Sequence, residues 1–141
     1  MVLKYIYILI LDTLEWKKFN ITPSPSIRLG HTVTYNPTSS EIYLFGGMNN
    51  TEVYNDLWRF NCCSLTWEKI TDDEKNAPKG RSGHTAVIDS NNLYIFGGMQ
   101  NNPPHVFEDI NLYSICKYFL FFIFYFLFFI CYYFINKLLI Y

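Results

Sequence analysis

Two of the three histidines, an acidic run and four cysteines are residues of this sequence whose types could take part in chemistry. His31 and His84 each follow an Arg-x-Gly tripeptide, and a neutral imidazole can bind a metal or act as a general base. Asp72-Asp-Glu74 offers three adjacent carboxylates, and the cysteines stand at 62, 63, 116 and 131. A hydrolytic, redox or metal-dependent site would have to be built from these groups.

Their spacing does not match a known kind of site. The cysteines lack Cys-x-x-Cys spacing, and neither histidine has a cysteine or carboxylate at the interval of a zinc site. Lys75 and Lys79 follow the acidic run, which is typical of a solvated linker. We therefore expect no catalytic residue, no metal and no cofactor, and we interpret the cysteines as free thiols in a reducing compartment.

The charge balance argues against nucleic acid as a partner. The 141 residues carry 11 Lys and Arg against 12 Asp and Glu, a formal net charge of -1. A nucleic-acid-binding domain typically presents a strongly basic face. We expect no nucleic-acid partner, and the length suits one ordinary domain.

The elements that must position these residues repeat along the chain. Tyr43-Leu-Phe-Gly-Gly-Met48 recurs as Tyr94-Ile-Phe-Gly-Gly-Met99, which is 51 residues later. Upstream of each copy, Arg28-Leu-Gly-His31 is matched by Arg81-Ser-Gly-His84. Trp16 and Trp67 are again 51 residues apart. A period of this length is typical of propellers and solenoids.

Each repeat predicts four short strands. In the complete repeat they cover residues 31–35, 41–46, 56–60 and 65–70, separated by Pro, Asn, Ser and Asp. The apolar run Tyr5–Leu11 aligns with the third of these strands. It lacks a small-residue cleavage site, so we predict a strand of an earlier repeat rather than a signal peptide.

The repeats resemble those of the kelch family, which share an Arg-x-Gly-His start, a Gly-Gly doublet after an apolar strand and a Trp before the last strand. The resemblance covers about residues 5 to 116 and implies an all-β fold of four-stranded antiparallel propeller blades. Structural roles within the blade are implied for seven residues: His31, Gly46, Gly47, Trp67, His84, Gly97 and Gly98. Arg28 and Arg81 are candidate partner contacts, because this loop lines the open face of peptide-binding kelch propellers; an exposed arginine or a structural bridge between loops is the alternative.

The resemblance implies the following organisation. We predict the last two strands of a preceding blade (1–22), one complete blade (23–71), a linker (72–77), a partial blade (78–116) and an apolar tail (117–141). Two and a half blades cannot close a ring of four to eight. We therefore expect a fragment of a larger propeller, or self-association.

The tail has a composition unlike the rest of the chain. Tyr118–Ile135 is uncharged, and twelve of its 18 residues are aromatic. As a helix it would be about 27 Å long, close to the thickness of a bilayer core. A single transmembrane helix and the translation of an unspliced T-rich intron are the two interpretations that this composition leaves open.

Three functions follow from these expectations. The leading one is a non-catalytic interaction or scaffold module that binds a protein partner. The second is a single-pass membrane protein with a kelch-like soluble portion, and without a membrane span the expected location is cytoplasmic. The remote third is a propeller-based enzyme, either a copper oxidase or a sugar isomerase.

Overall fold

The computed structural model describes residues 5–70 and 77–115, and all the regular elements in these two ranges are β-strands. In chain order they are β1 (Tyr5–Ile10), β2 (Glu15–Asn20), β3 (Thr32–Asn36), β4 (Glu41–Phe45), β5 (Leu57–Asn61), β6 (Thr66–Ile70), β7 (Thr85–Asp89), β8 (Asn92–Phe96), β9 (Met99–Asn101), β10 (Pro104–Val106) and β11 (Ile110–Ser114).

The strands form three successive antiparallel sheets and one small hairpin. The first sheet is β1-β2, the second is β3-β4-β5-β6 and the third is β7-β8-β11. The hairpin β9-β10 lies between β8 and β11 in the chain. Each strand in the second and third sheets pairs with its sequence neighbour apart from this insertion, which is the order expected of a meander.

The predicted strands of the complete repeat are confirmed to within one residue. The N-terminal apolar run is also a strand, since Tyr7 pairs with Lys18 and Leu9 with Trp16. The β9-β10 hairpin was not predicted. Polar residues and two prolines in this insertion gave no clear alternation that would have indicated strands.

The core lies between the second and third sheets. Strand side chains alternate between the two faces of a sheet, and Tyr43, Phe45 and Leu57 point from the second sheet toward Leu93 and Ile95 of the third. All five are at most 7% exposed. Burial of these side chains stabilises the pair of sheets by about 1.5 to 3 kcal/mol for each large residue.

The edge strands β3 and β7 of the two sheets lie side by side without sharing a backbone ladder. Thr34 Oγ1 donates to the carbonyl of Ala86 over 3.5 Å, and the Asn36 side-chain amide donates to the carbonyl of Ser90 over 3.5 Å. Asn36 is 1% exposed. The polar side chains of β3 therefore hold the second sheet against the third where backbone pairing is absent.

Within residues 5–70 and 77–115, no helix has the length and apolar character that crossing a membrane requires. The predicted apolar helix in 117–141 lies outside the described residues, as does most of the predicted linker, 72–77.

Candidate functional site

The long connections gather at one end of the sheets. Strands β4 and β8 end there, and β3 and β7 begin there, as the pairing of Thr32 with Phe45 and of Thr85 with Phe96 shows. We call this end, formed by residues 26–31, 46–56, 79–84 and 97–109, the loop face. The tight hairpin turns 11–14, 37–40, 62–65 and 90–91 form the other end, which we call the turn face.

A buried arginine fixes the loop face of the second sheet. Both carboxylate oxygens of Asp56 accept hydrogen bonds from Arg28, and the carbonyl of Gly46 accepts a third from Nη1 over 3.0 Å. Nε and Nη2 of Arg28 also donate to the carbonyl and hydroxyl oxygens of Ser26. The ring centroid of Tyr54 lies 3.9 Å from the guanidinium carbon. The forked guanidinium thus joins three separate segments of the chain.

The third sheet repeats this arrangement with the same geometry. Arg81 donates to both carboxylate oxygens of Asp109, to the carbonyl of Gly97 over 3.0 Å and to that of Lys79 over 3.1 Å. The ring centroid of Phe107 lies 4.0 Å from the guanidinium carbon. The recurrence shows that this arginine–aspartate arrangement, which we call the clamp (Arg28 with Asp56, and Arg81 with Asp109), is a property of the repeat.

The two clamps differ in how far the aspartate is exposed, but the pKa of the carboxyl group is lowered in both. Burial alone would raise the pKa of Asp56, but hydrogen bonds from Arg28 and Trp58 outweigh it and the pKa is lowered. The Asp109 side chain is 46% exposed, and the hydrogen bond from Arg81 holds its pKa far below the usual range. Both carboxylates are therefore ionised at neutral pH.

Arg28 and Arg81 lie inside the structure rather than on its surface. Their side chains are 0% and 1% exposed, respectively, and each guanidinium donates to groups of its own repeat. This placement matches the structural-bridge alternative. The expectation that these two arginines contact a partner has no support in the described residues.

His84 occupies the contact between the second and third sheets. His84 is buried, its Nε2 lies 2.8 Å from Thr32 Oγ1, and its ring meets Phe45 edge-on with centroids 5.3 Å apart. Burial, with smaller contributions from Arg81 and His31, lowers the pKa of His84 to about 4. Burial and the charge of Arg28 likewise lower the pKa of His31. Both imidazoles are neutral at pH 7, in positions that suit packing.

The glycine doublets allow backbone segments to approach closely at the loop face. Gly46 and Gly47 have φ of 62° and 91°, and Gly97 and Gly98 have 64° and 95°. A Cβ on Gly47 would lie 2.9 Å from the Leu29 carbonyl oxygen. The Gly47 amide donates to the Arg81 carbonyl over 2.8 Å, so the doublet also joins the second sheet to the third.

Trp67 packs within its own sheet. Its ring centroid is 5.0 Å from that of Phe60, its partner across β5 and β6. Trp58 instead donates a hydrogen bond from its indole Nε1 to Asp56 over 2.7 Å. Trp16, the repeat equivalent of Trp67, is 67% exposed.

Above the clamps, the connecting loops are ordered by their own polar groups. The side-chain oxygen of Asn49 accepts hydrogen bonds from the amides of Thr51 and Glu52, and its amide donates to the Tyr54 hydroxyl. Met48 joins the two loops, since its sulfur lies 3.3 Å from Ser82 Oγ and 3.5 Å from the Asn101 side-chain nitrogen. The loops therefore form a continuous and preorganised surface.

Apolar and acidic side chains are exposed on this surface. Leu29, Met99 and Val106 are 73%, 49% and 69% exposed, and Glu52 and Glu108 are exposed beside them. A groove of about 610 Å³ runs beside the second sheet, between residues 24–26 and 52–56, and reaches Trp58 and Lys69. Exposed apolar side chains on rigid loops are typical of a protein-binding surface.

Sequence reasoning missed Asp56 and Asp109, on which the loop face depends. A signal was present, because each aspartate follows its arginine by the same interval, 28 residues. The 53-residue displacement between the two aspartates differs from the 51 residues between the glycine doublets, owing to the longer loop in the third repeat. The interval alone does not show that an arginine and an aspartate meet, so neither aspartate was singled out.

Comparison with known proteins agrees with the repeated clamp and doublet. The model of the KLHDC2/KLHL20/DRC7 Kelch-repeats domain matches residues 2–117. The chain belongs to the kelch-repeat family. Its second sheet has four antiparallel strands, as a kelch blade does, and its third sheet has three in the described residues.

Several curated relatives share this repeat. Kelch repeat-containing protein 2 of Saccharomyces cerevisiae is 29% identical over 111 residues, 73% of this chain and 12% of the relative. Host cell factor homolog hcf-1 of Caenorhabditis elegans is 36% identical over 60% of this chain and 12% of its own. N-(sulfonatooxy)prop-2-enimidothioate sulfolyase of Thlaspi arvense is 31% identical over 55% of this chain and 24% of its own. The kelch chain spans at most about a quarter of the length of these relatives.

Proposed function

We propose that this kelch chain is a non-catalytic interaction module that binds a protein partner through its loop face. The observation that carries the proposal is the contrast between the base and the rim of that face. Arg28 and Arg81 are buried and bonded at the base, whereas Leu29, Met99 and Val106 are exposed above them. A rigid base that presents exposed apolar side chains lowers the entropic cost of binding.

The side chains with reactive chemistry support the non-catalytic part of the proposal. His84 packs between the second and third sheets, and the clamp carboxylates are ionised and bonded to arginine. In the described part of the chain, His, Cys, Asp and Glu side chains form no group of three that could hold a metal ion. The sulfolyase activity belongs to the name of one relative, and no contact among residues 5–70 and 77–115 points to that reaction.

Affinity capture with paired variants tests the proposal. The loop-face variant carries Leu29→Asp and Val106→Asp, and the control carries Leu11→Asp and Leu14→Asp on the turn face. The four leucine and valine side chains are 69% to 76% exposed, so both variants add two charges at similarly exposed sites. We expect proteins captured by the wild type to be lost with the loop-face variant and retained by the control. Equal capture by both variants would contradict the proposed surface.

A larger propeller is the assembly in which this module would act. The proposal rests on the small share of each relative that the chain spans and on the need of a propeller to bury its blade faces. Further blades from the same gene product would add their own loops to the loop face.

A membrane-bound form is a second candidate, favoured by the uncharged sequence Tyr118–Ile135. In this form the kelch blades would be tethered beside a bilayer and would bind the same partner there. Carbonate extraction of a membrane fraction tests it: a spanning chain stays with the membranes, and release into the wash would rule it out.

A further inference from the structure

Two adjacent thiols lie on the tight turn that joins β5 to β6. Cys62 is half-buried and Cys63 is exposed, and neither forms a disulfide. Their turn, residues 62–65, belongs to the turn face, so the pair is separate from the surface proposed for the protein partner. Thiol sulfur is a soft ligand, and two neighbouring sulfurs can bind one soft atom together.

The turn is held by atoms other than the two sulfurs. The side-chain oxygen of Asn61 accepts a hydrogen bond from the Cys63 amide over 2.9 Å. The Cys62 amide donates to the Ser40 carbonyl over 3.1 Å. Both contacts use the backbone of the cysteines, so a change at sulfur leaves the bonds that shape the turn in place.

The repeat shows independently that this turn does not require cysteine. Ile115 takes the position of Cys62 in the third sheet, and its amide makes the same bond, to the Asn91 carbonyl over 2.7 Å. In the first sheet, the strand register places Leu11 and Asp12 at the positions of the two cysteines. The thiol pair is therefore particular to the second sheet among these three turns.

The spacing of the pair limits what it can bind. The peptide bond between Cys62 and Cys63 is trans, which sets their Cα atoms about 3.8 Å apart, whereas disulfides prefer roughly 4.4 to 6.8 Å. A disulfide between them would be strained and easily reduced, so the dithiol is the stable form. A structural zinc site takes four protein ligands, and His, Cys, Asp and Glu side chains of residues 5–70 and 77–115 form no group of three. The pair suits an atom that binds two sulfurs.

Trivalent arsenic meets this requirement better than a metal ion does. Burial, with smaller contributions from Cys63 and Glu41, raises the pKa of the Cys62 thiol. A metal ion binds deprotonated sulfur, so a raised pKa weakens its binding. An arsenous group instead condenses with the protonated thiol and releases water. Its bonds to sulfur lie on one side of the arsenic atom, so both sulfurs can come from neighbouring residues.

We propose that Cys62 and Cys63 together bind trivalent arsenic compounds. With a monosubstituted arsenous acid, two S–H bonds and two As–OH bonds break, two As–S bonds form, and two water molecules leave. Arsenic stays trivalent, so the step needs no oxidant or reductant. The ring that forms contains one atom more than the disulfide ring, which relaxes the constraint that strains the disulfide.

Phenylarsine oxide, which hydrates to such an acid, is the probe that tests the site. The parent protein is the full chain with Cys116→Ser and Cys131→Ser, so that Cys62 and Cys63 are its remaining thiols. Titration in the presence of excess glutathione is followed by intact-mass spectrometry under non-denaturing conditions. We expect one phenylarsenic group per chain, which glutathione does not remove and a dithiol such as dimercaptopropanol does.

Serine variants of the parent supply the quantitative result. Cys62→Ser and Cys63→Ser each leave one As–S bond, and loss of the second, intramolecular bond should weaken binding about 100-fold or more. Ser64→Ala is the matched control, because it changes an exposed residue of the same turn and keeps both thiols. Its affinity for phenylarsine oxide should equal that of the parent.

Three results would overturn the proposal. They are a parent from which glutathione alone removes the arsenical, single serine variants that bind as tightly as the parent, and a disulfide between Cys62 and Cys63 that persists in glutathione. Far-ultraviolet circular dichroism checks folding, and alanine replaces serine in any variant that fails to fold. All these substitutions lie outside the loop face, so the result does not depend on the partner proposed above.

Discussion

Removal of one carboxylate from the loop face should destabilise the second blade far more than an ordinary ion pair would suggest. Asp56→Ala leaves Arg28 without two of its hydrogen-bond acceptors, while the arginine side chain stays 0% exposed. Trp58 loses its acceptor as well. Breaking a buried pair by removing one partner typically costs about 3 to 5 kcal/mol, because a buried charge is left uncompensated. We predict a loss of this size in the free energy of unfolding.

The chain itself supplies two graded controls. Asp109 makes the same pair with Arg81, but its side chain is 46% exposed, so water can replace part of the lost contact. We expect Asp109→Ala to cost about 1 to 2 kcal/mol. Glu68 pairs with Arg59 at the surface and is 63% exposed, and Glu68→Ala should cost at most about 1 kcal/mol.

Urea unfolding followed by circular dichroism measures this series. The urea midpoint should be lowest for Asp56→Ala, higher for Asp109→Ala and highest for Glu68→Ala. The dependence of the unfolding free energy on urea concentration should stay unchanged if only the folded state is affected. In the double variant Arg28→Met with Asp56→Leu, apolar groups replace the buried pair, and more than half of the Asp56→Ala loss should be recovered. Equal midpoints for Asp56→Ala and Glu68→Ala would refute the reasoning, because the buried arginine would then need no partner.

Two further predictions concern the glycines and the buried histidine. Gly47→Ala should lower the free energy of unfolding by about 2 kcal/mol or more, because its φ is 91° and the new Cβ would lie 2.9 Å from His31 Cβ. Gly83 has a φ of 65° and open space around it, so Gly83→Ala should cost only about 1 kcal/mol. Thermal unfolding of both variants checks this order, and a larger loss for Gly83→Ala would contradict it. The lowered pKa of His84 makes the free energy of unfolding depend on pH. The unfolded chain takes up the proton near pH 6.5 and the folded chain only near pH 4. The contribution of His84 to stability is therefore fully present above pH 6.5, and the free energy of unfolding falls by about 3 kcal/mol as the pH drops to 4. Chemical unfolding at several pH values measures this slope, and His84→Gln should flatten it; an unchanged slope in that variant would assign the effect to other groups.

The repeat made the strands predictable from sequence. Tyr43 and Tyr94, with their glycine doublets, fix the register of two blades, and alternation within each strand then identifies which side chains face the neighbouring blade. The N-terminal run Tyr5–Leu11 was recognised as a strand only through this alignment. Its own composition would equally suit other apolar segments.

The roles of the arginines could not be predicted in the same way. Arg28 and Arg81 stand in polar loops, and an arginine in a loop is usually exposed. Their burial depends on Asp56 and Asp109, which are brought to them by the turn back from β4 to β5 and from β8 to β11. Such a contact between distant segments leaves no periodic pattern in the sequence. The interval of 28 residues, which both arginine–aspartate pairs share, was the sequence signal that indicated it.

The conformation of the loops above the clamp could not be predicted from the sequence. The bonds from Asn49 and the meeting of both loops at Met48 depend on the placement of neighbouring blades. The aromatic tail was predicted from composition alone, and it lies outside the described residues.

The measurement that tests the central claim most directly is radical footprinting of the kelch chain alone and in complex with a captured partner. Labelling of each residue is read by mass spectrometry. We predict that Leu29, Met99 and Val106 lose reactivity in the complex, while Leu11 and Leu14 on the turn face keep it. Protection confined to the turn face, with the loop face labelled as in the free chain, would contradict the account.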